Sequence, residues 1–232
     1  MTPSDHSYFV TGTDTEVGKT RIAAALLYAW RQRGFTVGAM KPIASGCEET
    51  DQGLRNEDAL LLLAQCNTPQ TYAQTNPYAF VPPIAPHIAA AEAGITFDLN
   101  AIVTQARLLA GGVERFVVEG VGGWQVPLDG RTTTADLALA LGYPVVVVVG
   151  IRLGCINHAL LTIESIRGKG LPVAGWVANG VDANCARVEE IVATLRTRVT
   201  APCLGQIPWL ADGRPEQFAT RLSTPDETQK KM

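Results

Sequence analysis

The chain has 232 residues, 47% of them hydrophobic and 18% charged, with a formal net charge of −3. That length allows one large α/β domain or two small ones, and the apolar share buries a core without cross-links. The balance excludes a nucleic-acid binder, because the nineteen Lys and Arg are scattered rather than gathered into a basic face.

The opening "MTPSDHSYFV" carries no positive run and no apolar segment of signal length, and the later run "PVVVVV" is far short of a membrane span. The expectation is a cytoplasmic chain with no membrane partner. "SYFVTG" reads as a first strand, followed by a helix over Lys19 to Gln32 with Ala/Leu spacing and Gly34 as its terminator. "TVGAMKP" reads as a second strand that Pro42 stops, presenting Lys41 at the rim where open parallel sheets bind ligands. "NEDALLLL" starts a helix over Glu57 to Gln65, with Asn56 as N-cap and Glu57 and Asp58 in its first turn.

The Pro-rich segment Tyr72 to Pro86 is expected to run extended over the surface. Beyond a helix over Leu99 to Leu109, "RFVVEG" is a strand ending in Glu119, and "GVGGW" leaves room for backbone to approach a ligand. "PVVVVVG" is a further strand, from which "GIRLGCINHALL" passes through Gly154 into a helix over Ile156 to Ile166. The strand "PVAGWVANG", a helix over Arg187 to Arg198 and the strand "PCLGQIPW" complete the pattern. The strands are apolar on both faces, as strands covered by helices on both sides must be.

The alternation predicts a three-layer α/β/α fold with a mostly parallel sheet. No shift in composition and no repeat divides the chain, so one domain is expected over 1–232, with a core at about 7–211 and a loose polar tail over 212–232. Five cysteines (Cys47, Cys66, Cys155, Cys185 and Cys203) form no C-x-x-C pair, which points to reduced thiols rather than a disulfide framework or a zinc site. The three histidines are too few and too separated for a metal cluster.

Between the first strand and its helix lies "VTGTDTEVGKT", a phosphate-loop pattern with one residue too many: Gly12 and Gly18 enclose five residues where four are usual. A match of this looseness arises by chance in roughly one chain in a hundred of this length. The strand, glycine loop and helix context is the one the motif needs. Backbone N–H groups and the helix N-terminus would face the phosphates, Lys19 would reach the β and γ oxygens, and the Thr20 hydroxyl could ligate Mg²⁺. Glu119, at a strand end, could hold the same ion, and the helix start near Gly154 could hold a carboxylate.

Taken together, "FVTGTDTEVGKT", "KPIASG", "GLRNEDAL", "VEGVGGW", "GIRLGCINHALLT", "GWVANG" and "IPWL" resemble, in order and spacing, the dethiobiotin synthetases, ATP-dependent cyclo-ligases of biotin synthesis. The resemblance spans about Tyr8 to Leu210, and "TDTEVG" and "LGCINHA" are its most specific parts. The same long loop occurs in that family, so the extra residue marks a cradle of variant length. It implies a P-loop NTPase fold, Mg²⁺ and ATP, and the substrates diaminopelargonic acid and CO₂ or bicarbonate, worked on by a homodimer.

By the same resemblance Glu16, Val17, Gly18, Lys19, Thr20 and Arg21 would bind the nucleotide, with Thr20, Asp58 and Glu119 as the Mg²⁺ site. Gly120, Val121 and Gly122 would line the nucleotide, Asn179 and Gly180 would meet the adenine edge, and Pro208, Trp209 and Leu210 would pack beside it. Lys41 would be catalytic, with Lys19 and with Thr13, which aligned from the Gly18-Lys19-Thr20 end takes the place of the usual first glycine. Thr13 and Ser45 would touch the carbamate or diamine, and Gly154, Cys155, Ile156 and Asn157 would take the substrate carboxylate across the dimer. Asn179-Gly180 departs from the family's Asn-Asp, and Val121 replaces a small Ala. Glu216 lies past the alignable part.

Two other readings compete. A cobyrinate-type amide synthetase needs a glutaminase domain for which the chain has no length. A partition or septum-site ATPase, acting as a nucleotide-switched binding module, opens its loop with Lys or Arg before two glycines, whereas this loop opens Thr11-Gly12-Thr13.

Overall fold

Consecutive residues of the valine-rich strands point to opposite sides of the sheet, and each side finds its own core. The computed structural model describes residues 6–211 and 213–229, so the reading of residues 1–5 as free of a targeting run, and residues 212 and 230–232 of the polar tail, lie outside the described residues. In chain order the elements are β1 (Ser7–Gly12), α1 (Lys19–Gln32), β2 (Val37–Met40), β3 (Ile43–Ser45), β4 (Glu48–Thr50), β5 (Gly53–Arg55), α2 (Glu57–Gln65), α3 (Tyr72–Thr75), β6 (Tyr78–Phe80) and α4 (Pro86–Glu92). There follow α5 (Leu99–Ala110), β7 (Arg115–Glu119), α6 (Thr134–Leu141), β8 (Val145–Ile151), α7 (Cys155–Gly168), β9 (Val173–Gly180), α8 (Val188–Arg198), β10 (Cys203–Ile207), α9 (Pro215–Ala219) and α10 (Pro225–Gln229).

Six strands form the main sheet in the order β10-β9-β8-β1-β7-β2, and every pair is parallel. Val145, Val147 and Val149 enter the core shared with α5, α6 and α7, while Val146 and Val148 enter the core built on α1, with Leu62 of α2. The period of two within an all-apolar run therefore feeds two helix layers at once. This is the three-layer α/β/α architecture that the alternation predicted. The chain leaves β1 toward β2 and later leaves β7 toward β8 on the other side, so the crevice opens at the carboxyl end of β1.

Register then decides what meets there. Val10 pairs with Glu119 and Met40 with Val118, so the phosphate loop, Glu119 and Lys41 emerge from three adjacent strand ends. On the other flank Gly12 pairs with Val148 and Gly150 with Asn179, which brings Asn179 beside the same loop.

Two expectations are corrected. The segment over residues 72–86 is not simply an extended surface run: it forms α3 and β6, β6 pairs with β3, and Thr75, Asn76 and Phe80 are buried. Its buried polar groups are satisfied by the chain around Lys41, whose N–H donates to the Thr75 carbonyl at 2.8 Å and whose carbonyl accepts from Asn76 Nδ2 at 2.7 Å. The segment expected to be a loose tail packs onto α1. Phe218 is buried there, and the Asp226 carboxylate accepts from Trp30 Nε1 at 2.8 Å and from Arg115 Nη2 at 3.3 Å. One aromatic anchor and a compensated buried charge hold a stretch whose composition reads as solvated.

Candidate nucleotide and phosphoryl-transfer site

The sequence Thr13 to Val17 folds back beneath its own glycines. Val17 is buried under the loop, Glu16 takes the left-handed conformation at φ 58°, and Gly18 turns the chain into α1 at φ 87°. A side chain at Gly18 would strike Asn179 Nδ2 at 2.3 Å, so glycine is needed for space as well as for backbone angle. Asn179 Nδ2 in turn donates to the Val17 carbonyl at 2.9 Å and fixes the loop from β9. On the far side Asp14 pairs with Arg152, which follows β8.

Lys19 is buried, and its ammonium donates to the Asp14 carbonyl at 3.0 Å. Burial first, and then the neighbouring Lys41 charge, lower its titration to about 8. The Lys41 ammonium donates to Glu119 Oε1 at 2.6 Å and to Asp58 Oδ2 at 3.0 Å, and the Thr20 hydroxyl donates to that same Glu119 oxygen at 2.8 Å. Burial works against the charge on Lys41, but the two carboxylates outweigh it and hold the lysine above its ordinary value. For Glu119, wholly buried, burial pushes the carboxyl upward against the pull of Lys41. Asp58 is half exposed, and Lys41 draws its carboxyl below the usual range in spite of burial.

Glu119 Oε2 is buried and has no hydrogen-bond partner. With the Thr20 hydroxyl and the Asp58 carboxylate it makes a hard-oxygen donor set that fits Mg²⁺. Among the described residues no group of three or more His, Cys, Asp and Glu side chains could hold a metal, so such an ion would lean on the hydroxyl, on phosphate oxygens and on water.

These groups sit at one end of a cleft of about 970 Å³. The other end is walled by Asn179, Gly180, Val181, Trp209, Leu210 and Ala211. Arg21, in the first turn of α1, donates to the carbonyls of Leu210 at 3.1 Å and Ala211 at 3.4 Å and ties that wall to the phosphate loop. The backbone of Trp209 lies 2.6 Å from where a side chain at Gly180 would begin, which explains glycine where the resemblance led one to expect aspartate.

The cleft is lined by Glu16, Gly18, Lys19, Thr20, Arg21, Lys41, Ser45, Asp58, Glu119, Val121, Gly122, Asn179, Gly180, Trp209 and Leu210, all singled out in the sequence. Thr13, Val17, Gly120 and Pro208 are not in the lining. Thr13 is pinned by its N–H to the Val148 carbonyl at 3.0 Å, and Val17 and Gly120 are buried behind the wall. Gly154 to Asn157 begin α7 outside the cleft, and the Cys155 N–H is already spent on the Arg152 carbonyl. Sequence reasoning missed the wall at Pro83, Ile84, Ala85 and Pro86, and the Asp14 to Arg152 pair. The prolines were visible but read only as a loop, and the ion pair spans 138 residues, beyond any local pattern.

A family model described as an AAA domain matches residues 6–217. A protein of Pseudomonas paraeruginosa named ATP-dependent dethiobiotin synthetase BioD is 56% identical over 217 residues, covering 93% of this chain and 95% of its own length. One of Xanthomonas oryzae pv. oryzae with the same name is 51% identical over 219 residues, 94% and 98% of the two chains. Among solved structures, the septum site-determining protein MinD complexed with Mg-ADP, from Pyrococcus horikoshii, matches with a TM-score of 0.54 at 15% identity, over 88% of this chain and 81% of that one. This last likeness is one of fold.

Proposed function

The chain belongs to the ATP-dependent dethiobiotin synthetase family, and from that premise we propose that it closes the ureido ring of dethiobiotin from diaminopelargonic acid, CO₂ and ATP. One substrate amine adds to CO₂ and loses a proton to give a carbamate. A carbamate oxygen takes the γ-phosphoryl group, releasing ADP, and the second amine then attacks the carbonyl carbon and expels phosphate.

The observation that carries this reading is the placement of Lys41 beside Lys19 and Thr20, at the phosphate end of a cleft with room for a second substrate. Two anions must meet there, and most phosphoryl-transfer catalysis consists of aligning them and screening their charge. Lys19 holds the β and γ oxygens, Lys41 bridges the carbamate and the γ-phosphoryl oxygens, and Ser45, whose hydroxyl is buried without a partner, faces the diamine or carbamate. Thr13, half-buried in the loop, faces the carbamate or diamine with Ser45. Thr20, Asp58 and Glu119 would hold Mg²⁺, which when bound screens the triphosphate charge. Asn179, Gly180 and the wall at 208–211 take the base. Gly154 to Asn157 serve the substrate carboxylate of a second copy in a homodimer, since they lie outside their own cleft. The cytoplasm, which supplies ATP, is the proposed location.

The test is phosphate release with Mg-ATP and bicarbonate, with and without diaminopelargonic acid, the product being identified by mass. Phosphate and dethiobiotin appear together and only with the diamine. Hydrolysis that ignores the diamine would overturn the reading in favour of a nucleotide-switched ATPase.

A further inference from the structure

Every side chain proposed for the metal already has a cation in its midst. Lys41 contacts Glu119 and Asp58, and Thr20 donates to the Glu119 oxygen that Lys41 uses. Lys19, Lys41, Asp58 and Glu119 sum to no net charge, so the ligand-free cluster is neutral. A divalent ion on the free Glu119 Oε2 lies across a single carboxylate from the ammonium on Oε1, close to Asp58 as well, and two cations on one buried carboxylate repel each other. The lysine has only its side chain with which to respond. Its backbone is held on both sides, by Thr75 and Asn76, and Pro42 follows. Its flexible four-carbon stem can swing while the strand end stays fixed.

We propose that Lys41 is the resident counter-ion of the empty site: it holds the metal carboxylates together until metal and nucleotide arrive, and the metal then displaces its ammonium into the cleft, where the phosphoryl acceptor binds. Metal loading and the arming of the catalytic lysine are thereby one event. Nucleotide without metal leaves the lysine on Glu119, which keeps the site idle toward metal-free ATP. The inference rests on the reading that Thr20, Asp58 and Glu119 take Mg²⁺.

Two measurements test it. In the whole protein labelled with ¹⁵N-lysine, the Lys41 ammonium resonance, assigned by its loss in Lys41→Met, is retained when β,γ-methylene-ATP is added in EDTA and shifts or disappears when Mg²⁺ is then added. Direct Mn²⁺ titration followed by electron paramagnetic resonance, without nucleotide, gives at least tenfold tighter binding in Lys41→Met than in the unsubstituted protein. A resonance unmoved by Mg²⁺, or a Mn²⁺ affinity equal or weaker in the variant, would overturn the proposal. If Lys41→Met fails to fold, Lys41→Arg, which keeps a cation on the two carboxylates, supplies the same assignment. Dethiobiotin formation on the same preparation separates the two readings: product with an unmoved lysine sinks this inference alone, and a displaced lysine without product sinks the synthetase reading alone.

Discussion

The two ends of the cleft are built on opposite plans. At the phosphate end, Lys41 and Glu119 from two adjacent strand ends are buried and bonded to each other, and Thr20 of α1 and the half-exposed Asp58 of α2 complete one cluster. At the other end, which the proposal gives to the base, the wall is Asn179, Val181 and a loop at 208–211 that Arg21 holds and that the C-terminal helices clasped onto α1 follow. Removing one charge at the first end leaves its partner buried and unpaired, whereas loosening the second end only lets a wall move. The difference predicts a graded series of effects.

The largest effect is expected from Lys41→Gln. Turnover falls by about 10²- to 10³-fold, the cost of one lost donor to developing charge, while ATP binding changes only a few-fold. Steady-state rates beside direct nucleotide titration check this, and turnover within a factor of about three would remove Lys41 from the chemistry.

Next comes the pH dependence set by Lys19. Its titration near 8 in the empty protein means that above this pH the lysine is neutral and must take up a proton to meet a triphosphate. Nucleotide affinity is therefore flat below pH 7 and falls about tenfold per unit well above pH 8. Calorimetry in two buffers of different ionisation heat reads the proton uptake. A flat profile to pH 9 would mean that Lys19 does not carry the charge.

At the base end, Arg21→Met is expected to raise KM for ATP about three- to fivefold with kcat nearly unchanged, because the side chain positions the wall through two carbonyls. A loss concentrated in kcat would show instead that Arg21 reaches the phosphates.

The smallest effect on turnover belongs to Asp226→Ala, with kcat within about twofold, although stability drops by about 3 kcal/mol as Arg115 and Trp30 lose their buried partner. Burial opposes the charge on Asp226, but the hydrogen bonds from Trp30 and Thr224 and the Arg115 guanidinium outweigh it and hold the carboxyl below its usual range. Such a group stabilises the fold above its ordinary titration and loses that contribution as pH falls through its folded value. The stability gap between the unsubstituted protein and Asp226→Asn is thus constant well above pH 4, begins to shrink below about pH 4 and closes only as the pH falls through the folded value. Urea denaturation at pH 7 and pH 3.5 measures it.

The phosphate end was legible because its signals are local. "GKT" at a strand-to-helix junction, a lysine before Pro42 and a glutamate ending an apolar strand each show in a window of a few residues. The six sheet strands likewise showed as apolar runs, and the five longest helices as periodic ones, with ends displaced by a residue or so. Short elements such as α3, β6 and α9 did not show, because three to five residues carry too little periodicity and their stability comes from what they pack against.

By itself, then, the sequence determined the layer architecture, the parallel strands and the glycine loop between β1 and α1. These follow from side-chain period and backbone propensity, which act over a few residues. Only the tertiary structure decided that Lys41 rests on Glu119 and Asp58, that Arg152 holds Asp14, and that Asp226 clasps α1. Those pairings depend on strand order and register across up to 196 residues of chain, and burial, which makes each partner obligatory, does not exist until the layers have closed.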